Sequence, residues 1–324
     1  MSDRYGRQTI LPEVGEEGQA RLAAASVLIV GAGGLGCAAL QYLTAAGIGR
    51  LIIVDHDRVE ESNLHRQPLY RMSDIGQPKV QAARAALAAL NPGTQLDAVC
   101  ERLSSVNAAR LVESASVVID AADSFAVTYL LSDTCQRQCR PFVSASVLGL
   151  AGYVGVFCGG APSYRAVFPE LPRSAGSCAE AGVLGTAVGV LGTLEAHLTL
   201  ALLLDWAPSV RGRMLSLDLR TLHVGGFCFA TAREPTGTPI PFIAPAEVSG
   251  NDVVIDLRSL KEAPVSPFES ALRIEVEALE RAPLDLPGEA RVVLCCRSGL
   301  RAWRAARSLR SRGHEKLALI ALGE

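Results

Sequence analysis

The sequence contains no run of Lys or Arg and no basic stripe with interleaved aromatics, and its 31 Lys and Arg are offset by 33 Asp and Glu for a formal net charge of -2. A nucleic-acid partner calls for concentrated positive charge, so that class is set aside. The opening Met1-Ser2-Asp3-Arg4-Tyr5 lacks the apolar core of a signal peptide, and no uninterrupted apolar stretch reaches the roughly 20 residues of a membrane span. The most apolar region, Gly182 to Leu204, is broken by Gly185, Gly189, Gly192, Glu195 and His197, and reads as a buried helix with its approach. Nine cysteines (Cys37, Cys100, Cys135, Cys139, Cys158, Cys178, Cys228, Cys295 and Cys296) without an export signal are expected to be free thiols in a cytoplasmic protein. No internal repeat or low-complexity tract occurs.

At 324 residues, 49% of them hydrophobic, the chain has material for about two domains. Ser26 to Val30 is a β-branched run that meets Gly31-Ala32-Gly33-Gly34-Leu35-Gly36, and Cys37 to Ala46 reads as an Ala/Leu-rich helix. Leu51 to Val54 ends at Asp55, Lys79 to Leu90 is an Ala-rich helix closed by Asn91-Pro92-Gly93, and Ser116 to Ile119 ends at Asp120. Phe142 to Phe157 holds two further strands, a helix lies near Leu191 to Leu204, and Met214 to Leu219 with His223 to Ala230 form a closing hairpin. Alternating strands and helices predict an α/β fold with a doubly wound, Rossmann-like, mainly parallel sheet whose ligands bind at the carboxyl ends of the strands. Four prolines between Thr231 and Gly250 mark a linker, beyond which Val253 to Leu257, Val292 to Cys296 and the Arg-rich Leu300 to Arg312 form a second, smaller α/β unit. The expected domains are therefore 1–230, a linker 231–250, and 251–324.

Gly31-x-Gly33-x-x-Gly36 between a strand and a helix suits phosphate, because glycine allows close backbone approach and the helix start offers free N–H groups. Asp55 at the next strand end can accept bonds from ribose hydroxyls, and an NAD-dependent oxidoreductase would satisfy everything to this point. The following Asn63-Leu64-His65-Arg66-Gln67 and Gly76-Gln77-Pro78-Lys79 add two cations that a triphosphate requires and a dinucleotide does not. Asp123 in Asp120-Ala121-Ala122-Asp123 supplies a carboxylate suited to Mg²⁺. Taken singly, Arg66 and Lys79 could be solvated surface charges and Asp123 a helix N-cap.

Arg4-Tyr5-x-Arg7-Gln8, the Gly31 loop, Asp55-x-Asp57-x-Val59-x-x-Ser62-Asn63-Leu64-x-Arg66-Gln67, Gly76-x-Pro78-Lys79, Asn91-Pro92 and Asp120-x-x-Asp123 resemble the ThiF/MoeB branch of the ubiquitin-activating, E1-like superfamily over about residues 4 to 230. The resemblance implies an ATP-dependent adenylyltransferase acting on the C-terminal Gly-Gly of a ubiquitin-like sulfur carrier. It implies phosphate binding at Gly31, Gly33, Gly34 and Gly36, ribose binding at Asp55, and nucleotide contacts from Asn63, Arg66, Gln67 and Lys79. Asp123 would organise Mg²⁺, and Arg7 would reach into the partner's site in a homodimer. Relatives usually continue Asp-Asn-x-x-x-Arg at the Mg²⁺ aspartate, whereas this chain reads Asp123-Ser124-Phe125-Ala126-Val127-Thr128. Cys178 matches a cysteine that in relatives bonds the activated carrier or relays sulfur; its bland reading is a small buried residue. Many relatives hold zinc with two C-x-x-C pairs; here the first place reads Ser163-Tyr164-Arg165-Ala166 and none follows Cys228, so no zinc is expected. Cys135 and Cys139 are set down to coincidence.

The tail resembles a shortened rhodanese, without its usual Gly-His-Ile-Pro-Gly-Ala segment. Cys296, at a strand end before a short loop and helix, matches the rhodanese nucleophile, with Arg297 and Arg301 adding positive charge nearby. A persulfide donor such as a cysteine desulfurase is the implied source of sulfur. A carrier-binding adaptor with a degenerate tail is the non-transferring alternative, and the pathway, thiamin or molybdopterin, stays open, with Ser144 to Gly152 and Gly189 to Glu195 leaning toward thiamin.

Overall fold

In the computed structural model, whose described residues are 3–172, 182–281 and 290–323, the run Ser26–Val30 is the strand β1. It is flanked by β2 (Arg50–Val54) and β4 (Val117–Asp120), with β3 (Gln95–Val99) outside β2. Beyond β4 the sheet continues through β5 (Phe142–Leu148), β6 (Ala151–Phe157), β7 (Arg213–Asp218) and β8 (His223–Cys228), giving eight strands. Pairing is parallel from β3 to β5 and antiparallel from β5 to β8. Val30 sits opposite both Val54 and Asp120, so Gly31, Asp55 and Ala121 leave the sheet at one level. The continuous apolar runs of β1, β2 and β4 follow from burial on both faces.

Alternate strand residues define the two faces. Val27, Ile29, Leu51, Ile53 and Ile119 pack with helices α1 (Gly15–Ala24), α2 (Gly34–Ala46), α3 (Lys79–Leu90) and α6 (Gly185–Leu203). Leu28, Val30, Ile52 and Val118 face α4 (Ala108–Glu113) and α5 (Phe125–Arg137). The helix α6 is longer than expected, starting ahead of Leu191. Its glycines do not break it: a Cβ on Gly192 would sit 2.3 Å from the Leu35 carbonyl oxygen, so glycine permits the close crossing of α2 and α6. By length and composition α6 could cross a membrane, but it packs against α2 and the sheet, with Glu195 fully buried.

A second sheet of four parallel strands has the order β10 (Leu272–Arg273), β9 (Val253–Asp256), β11 (Val292–Cys296), β12 (Leu317–Ala321). Its helix α7 (Leu300–Ser311) brings Trp303 into the same apolar cluster as Tyr129 of α5, so the two sheets share one continuous core. The Arg165 guanidinium, paired with Asp133 at 2.6 Å, lies 4.7 Å from the Tyr129 ring centre and 5.8 Å from that of Trp303. Within the proline-rich stretch Ile240, Phe242 and Ala244 are buried. Ile243 donates to the Leu319 carbonyl and Leu319 to that of Pro241, both at 2.9 Å, which lays residues 241–243 along β12. Pro241, lacking an N–H, fits such an edge.

Candidate functional site

Each glycine after β1 has its own reason. Gly31 has φ of +100°, and a Cβ there would lie 2.6 Å from the Ala121 carbonyl oxygen, so the loops after β1 and β4 touch. A Cβ on Gly36 would lie 2.0 Å from the Gly31 carbonyl oxygen, and one on Gly34 2.4 Å from Val188 of α6. Gly33 instead faces open space, its nearest neighbour the Gln67 amide at 3.8 Å. The helix α2 begins here with no side-chain cap, leaving N–H groups at its positive end for a ligand. The Asp55 carboxylate holds the loop by accepting the Ala32 N–H at 2.7 Å and its own turn by accepting that of Asp57 at 2.8 Å. Tyr70 donates to the Ala32 carbonyl at 2.6 Å, and buried Gln67 keeps an amide oxygen without a partner among the described residues.

The cations arrive from two directions. Lys79, at the start of α3, is buried and its ammonium meets the Asp57 carboxylate at 2.8 Å. Burial works to raise the Asp57 carboxyl, but the bonded Lys79 and neighbouring His56 outweigh it and hold it below its ordinary value. Arg66 is half-buried and donates to the Ser62 carbonyl at 3.2 Å and to His65 Nε2 at 2.8 Å. The Asn63 carbonyl accepts the Arg66 and Gln67 N–H groups, both at 3.1 Å, which winds these residues into one turn. That turn is wedged between two helix starts, since Cβ atoms on Gly34 and Gly185 would meet the carbonyls of Arg66 at 3.3 Å and His65 at 2.5 Å.

Asp123 is exposed in the turn after β4 and has no hydrogen-bond or ion-pair partner among the described residues. The turn is fixed by Asp120, fully buried, which accepts from Thr128 Oγ1 at 2.6 Å, Ser144 Oγ at 3.1 Å and the Ala122 N–H at 3.2 Å. Burial, only partly countered by these donors, pushes Asp120 up to about 7. A second carboxyl, Glu195, is buried beside it; desolvation and then the Asp120 charge raise it well above the ordinary range. The ligand atoms of Asp55, His56 and Asp57 also lie within 4.8 Å of one another, but Asp57 is engaged by Lys79.

Arg7 is not brought to this cluster. Its neighbours Tyr5 and Gln8 pack at the far end of α2, Gln8 donating to the Ala46 carbonyl at 3.0 Å and the Tyr5 ring lying against Gly47. The 13 residues of α2 separate that end from the glycine loop, about 20 Å along the axis. Cys178 lies outside the described residues.

Cys296 closes β11 with its thiol fully buried, accepting the Gly299 N–H at 3.1 Å and that of Ala302, inside the first turn of α7, at 3.4 Å. Cys295 points to the opposite face, among Val254, Val293 and Ile320, where burial pushes its thiol up to about 12. Arg301 is committed to Glu262 and to the Leu257 carbonyl. At the place of the first thiolate pair, Ser163 gives its N–H (2.7 Å) and hydroxyl (2.5 Å) to the Glu234 carboxylate. With Ala166 completing the pair, these donors do not fit a tetrahedral zinc site.

The ThiF family matches residues 5–237. Adenylyltransferase and sulfurtransferase MOCS3 of Bos taurus is 48% identical over 248 residues, 73% of this chain and 54% of that protein. The chain thus spans about half the length of that relative. Sulfur carrier protein adenylyltransferase of Thermus thermophilus is 45% identical over 67% of this chain and 83% of its own. SAMP-activating enzyme E1 of Haloferax volcanii is 41% identical over 67% of this chain and 81% of its own. Among solved structures, E. coli MccB superposes with a TM-score of 0.64 at 20% identity, covering 72% of this chain and 71% of that one, a likeness of fold.

Proposed function

The chain belongs to the ThiF family, and from that premise we propose that it uses ATP to adenylate the C-terminal glycine of a ubiquitin-like sulfur carrier and then helps replace the activated oxygen with sulfur. The observation that carries the reading is the convergence, at one end of the parallel strands, of an open glycine loop, buried Lys79, Arg66 and Asp123, which has no partner among the described residues. An oxygen of the carrier's terminal carboxylate attacks the α-phosphorus of ATP, and the bond to pyrophosphate breaks with its electron pair leaving on pyrophosphate. The nucleophile is already an anion, so positioning and charge neutralisation supply the catalysis. Gly33 and the N–H groups of α2 hold phosphate, Asp55 accepts from ribose, and Lys79 exchanges the Asp57 carboxylate for a phosphate oxygen beside Asn63, Arg66 and Gln67. Asp123 would hold Mg²⁺, which when bound neutralises phosphate charge. Arg7, remote from the loop of its own chain, serves the neighbouring site in a homodimer.

Residues 251–324, joined through 231–250, act in this reading as a shortened rhodanese-like domain. A persulfide donor such as a cysteine desulfurase loads Cys296, whose outer sulfur attacks the acyl carbon as the bond to AMP breaks, leaving an acyl disulfide. A second thiol, for which we propose Cys178, displaces the carrier thiocarboxylate from the Cys296 sulfur, and a thiol reductant reopens the resulting disulfide. The setting is cytoplasmic, and thiamin or molybdopterin synthesis is the destination of the sulfur. ATP/pyrophosphate exchange should require carrier and Mg²⁺ and fall about a hundredfold, roughly 3 kcal/mol, in Arg66→Ala, Lys79→Ala or Asp123→Ala. NADH binding without exchange would replace the reading with an oxidoreductase.

A further inference from the structure

We propose that the loop from Cys100 to Asn107 is a bracket that holds the Cys296 end of the smaller sheet beside the nucleotide end of the larger one, with Arg102 as a positioning residue for sulfur transfer; this rests on the reading above that Cys296 carries the sulfur. The loop leaves β3 at Val99, whose carbonyl accepts the Asp55 N–H at 3.2 Å, so it starts at the ribose-binding strand end. Three residues on, Arg102 donates from Nη1 to the Leu322 carbonyl at 2.9 Å. Leu322 in turn donates to the Cys296 carbonyl, and Gly323 to that of Arg297, both at 2.9 Å. One short series of hydrogen bonds thereby runs from the Asp55 level to the backbone on which the Cys296 thiol is mounted.

Two features make the loop a bracket rather than a passing contact. Asn107 closes it, its side-chain oxygen accepting the Ser104 N–H at 2.9 Å while its amide donates to the Arg102 carbonyl at 3.0 Å and to Glu101 at 3.2 Å. A second anchor lies at Ser105, whose hydroxyl accepts the Ala244 N–H at 2.8 Å and donates to Glu247, gripping the segment that runs along β12. Gly323, at φ of +76°, lets the guanidinium lie flat on the chain end, since a Cβ there would sit 2.6 Å from Arg102 Nη2. The smaller sheet is otherwise secured through the shared core and the Arg307–Glu170 pair at 2.6 Å. Loss of Arg102 therefore misaligns the sulfur loop without releasing the unit.

The test uses the full chain with its carrier, ATP and a persulfide-loaded desulfurase, following pyrophosphate exchange and single-turnover thiocarboxylate formation by mass spectrometry. Arg102→Ala should leave exchange within twofold and cut the maximal rate of thiocarboxylate formation about tenfold at unchanged carrier KM, and Arg102→Lys, which keeps one donor, should recover part of it. Gly323→Ala, which displaces the guanidinium from the other side of the contact, should give the same split. Undiminished transfer in both variants, or a parallel fall of exchange and transfer, would overturn the proposal. Full thiocarboxylate formation by Cys296→Ser would instead sink the reading beneath it.

Discussion

Asp120 and Glu195 are two carboxyl groups buried with no cation between them among the described residues, next to the turn that presents Asp123. Thr128 stands where relatives usually carry an arginine, and its hydroxyl gives Asp120 a hydrogen bond but no charge. Glu195 is fully buried, and desolvation outweighs the Ala145 N–H beside it, raising its carboxyl well above the ordinary range. An acid whose folded pKa is raised contributes stability that is fully present below its unfolded value, about 4.3 for Glu, and lost as pH rises through the folded value. Asp120 adds the same sign over the window from about 4 to about 7. Glu195→Gln mimics the neutral acid at every pH, so denaturant melts should show the variant gaining on the parent as pH rises above about 4; identical pH slopes would mean that Glu195 is charged and solvated. The sequence places Asp55, Arg66 and Lys79 near the glycine loop, because they sit at fixed offsets from it and from strand ends. In the sequence Glu195 reads as an interruption of an apolar run, because its approach to Asp120 is made by tertiary packing of α6 on the sheet.

The same packing separates glycines that look alike in sequence. Gly192 meets the Leu35 carbonyl carbon and the Ala38 side chain at 3.0 Å from a Cβ position, whereas Gly189 has nothing within 4 Å. Gly189→Ala should therefore stabilise by up to about 1 kcal/mol, the ordinary helix preference. Gly192→Ala should destabilise by about 2 kcal/mol, since backbone must move to admit the methyl. Urea melts of the pair check this, and equal signs would show that α2 and α6 do not cross as described. Strands β1, β2, β5, β6 and β11 and helix α3 were legible, being β-branched runs or Ala-rich stretches bounded by glycine, proline or aspartate. Strand β3 (Gln95–Val99) was not, because at the sheet edge it is only half-buried and carries Gln95 and Asp97. In the segment 240–244 the prolines mask a period of two, Ile240, Phe242 and Ala244 turning inward, so the sequence there reads as linker.

At the scale of the molecule, two sheets share a core. In the proposed reading adenylation draws on residues up to Asp123, whereas the Cys296 thiol enters after AMP is in place, because the nucleophiles of the two steps differ. The thiol accepts the N–H groups of Gly299 and Ala302 on the face that carries α7. Cys295 lies on the other face beside Asp256, where burial raises its thiol to about 12 and disfavours the thiolate. Cys296→Ser should therefore keep pyrophosphate exchange near that of the parent and abolish thiocarboxylate formation, while Cys295→Ser should alter neither by more than about twofold. Adjacent positions in one strand make this a controlled comparison, since both substitutions shorten a buried sulfur to oxygen in the same sheet and differ chiefly in the face they occupy. The mass of the carrier decides the outcome, because exchange of its terminal oxygen for sulfur adds about 16 Da. Undiminished product in Cys296→Ser would place the sulfur donor on a separate protein and leave the smaller sheet as a docking unit.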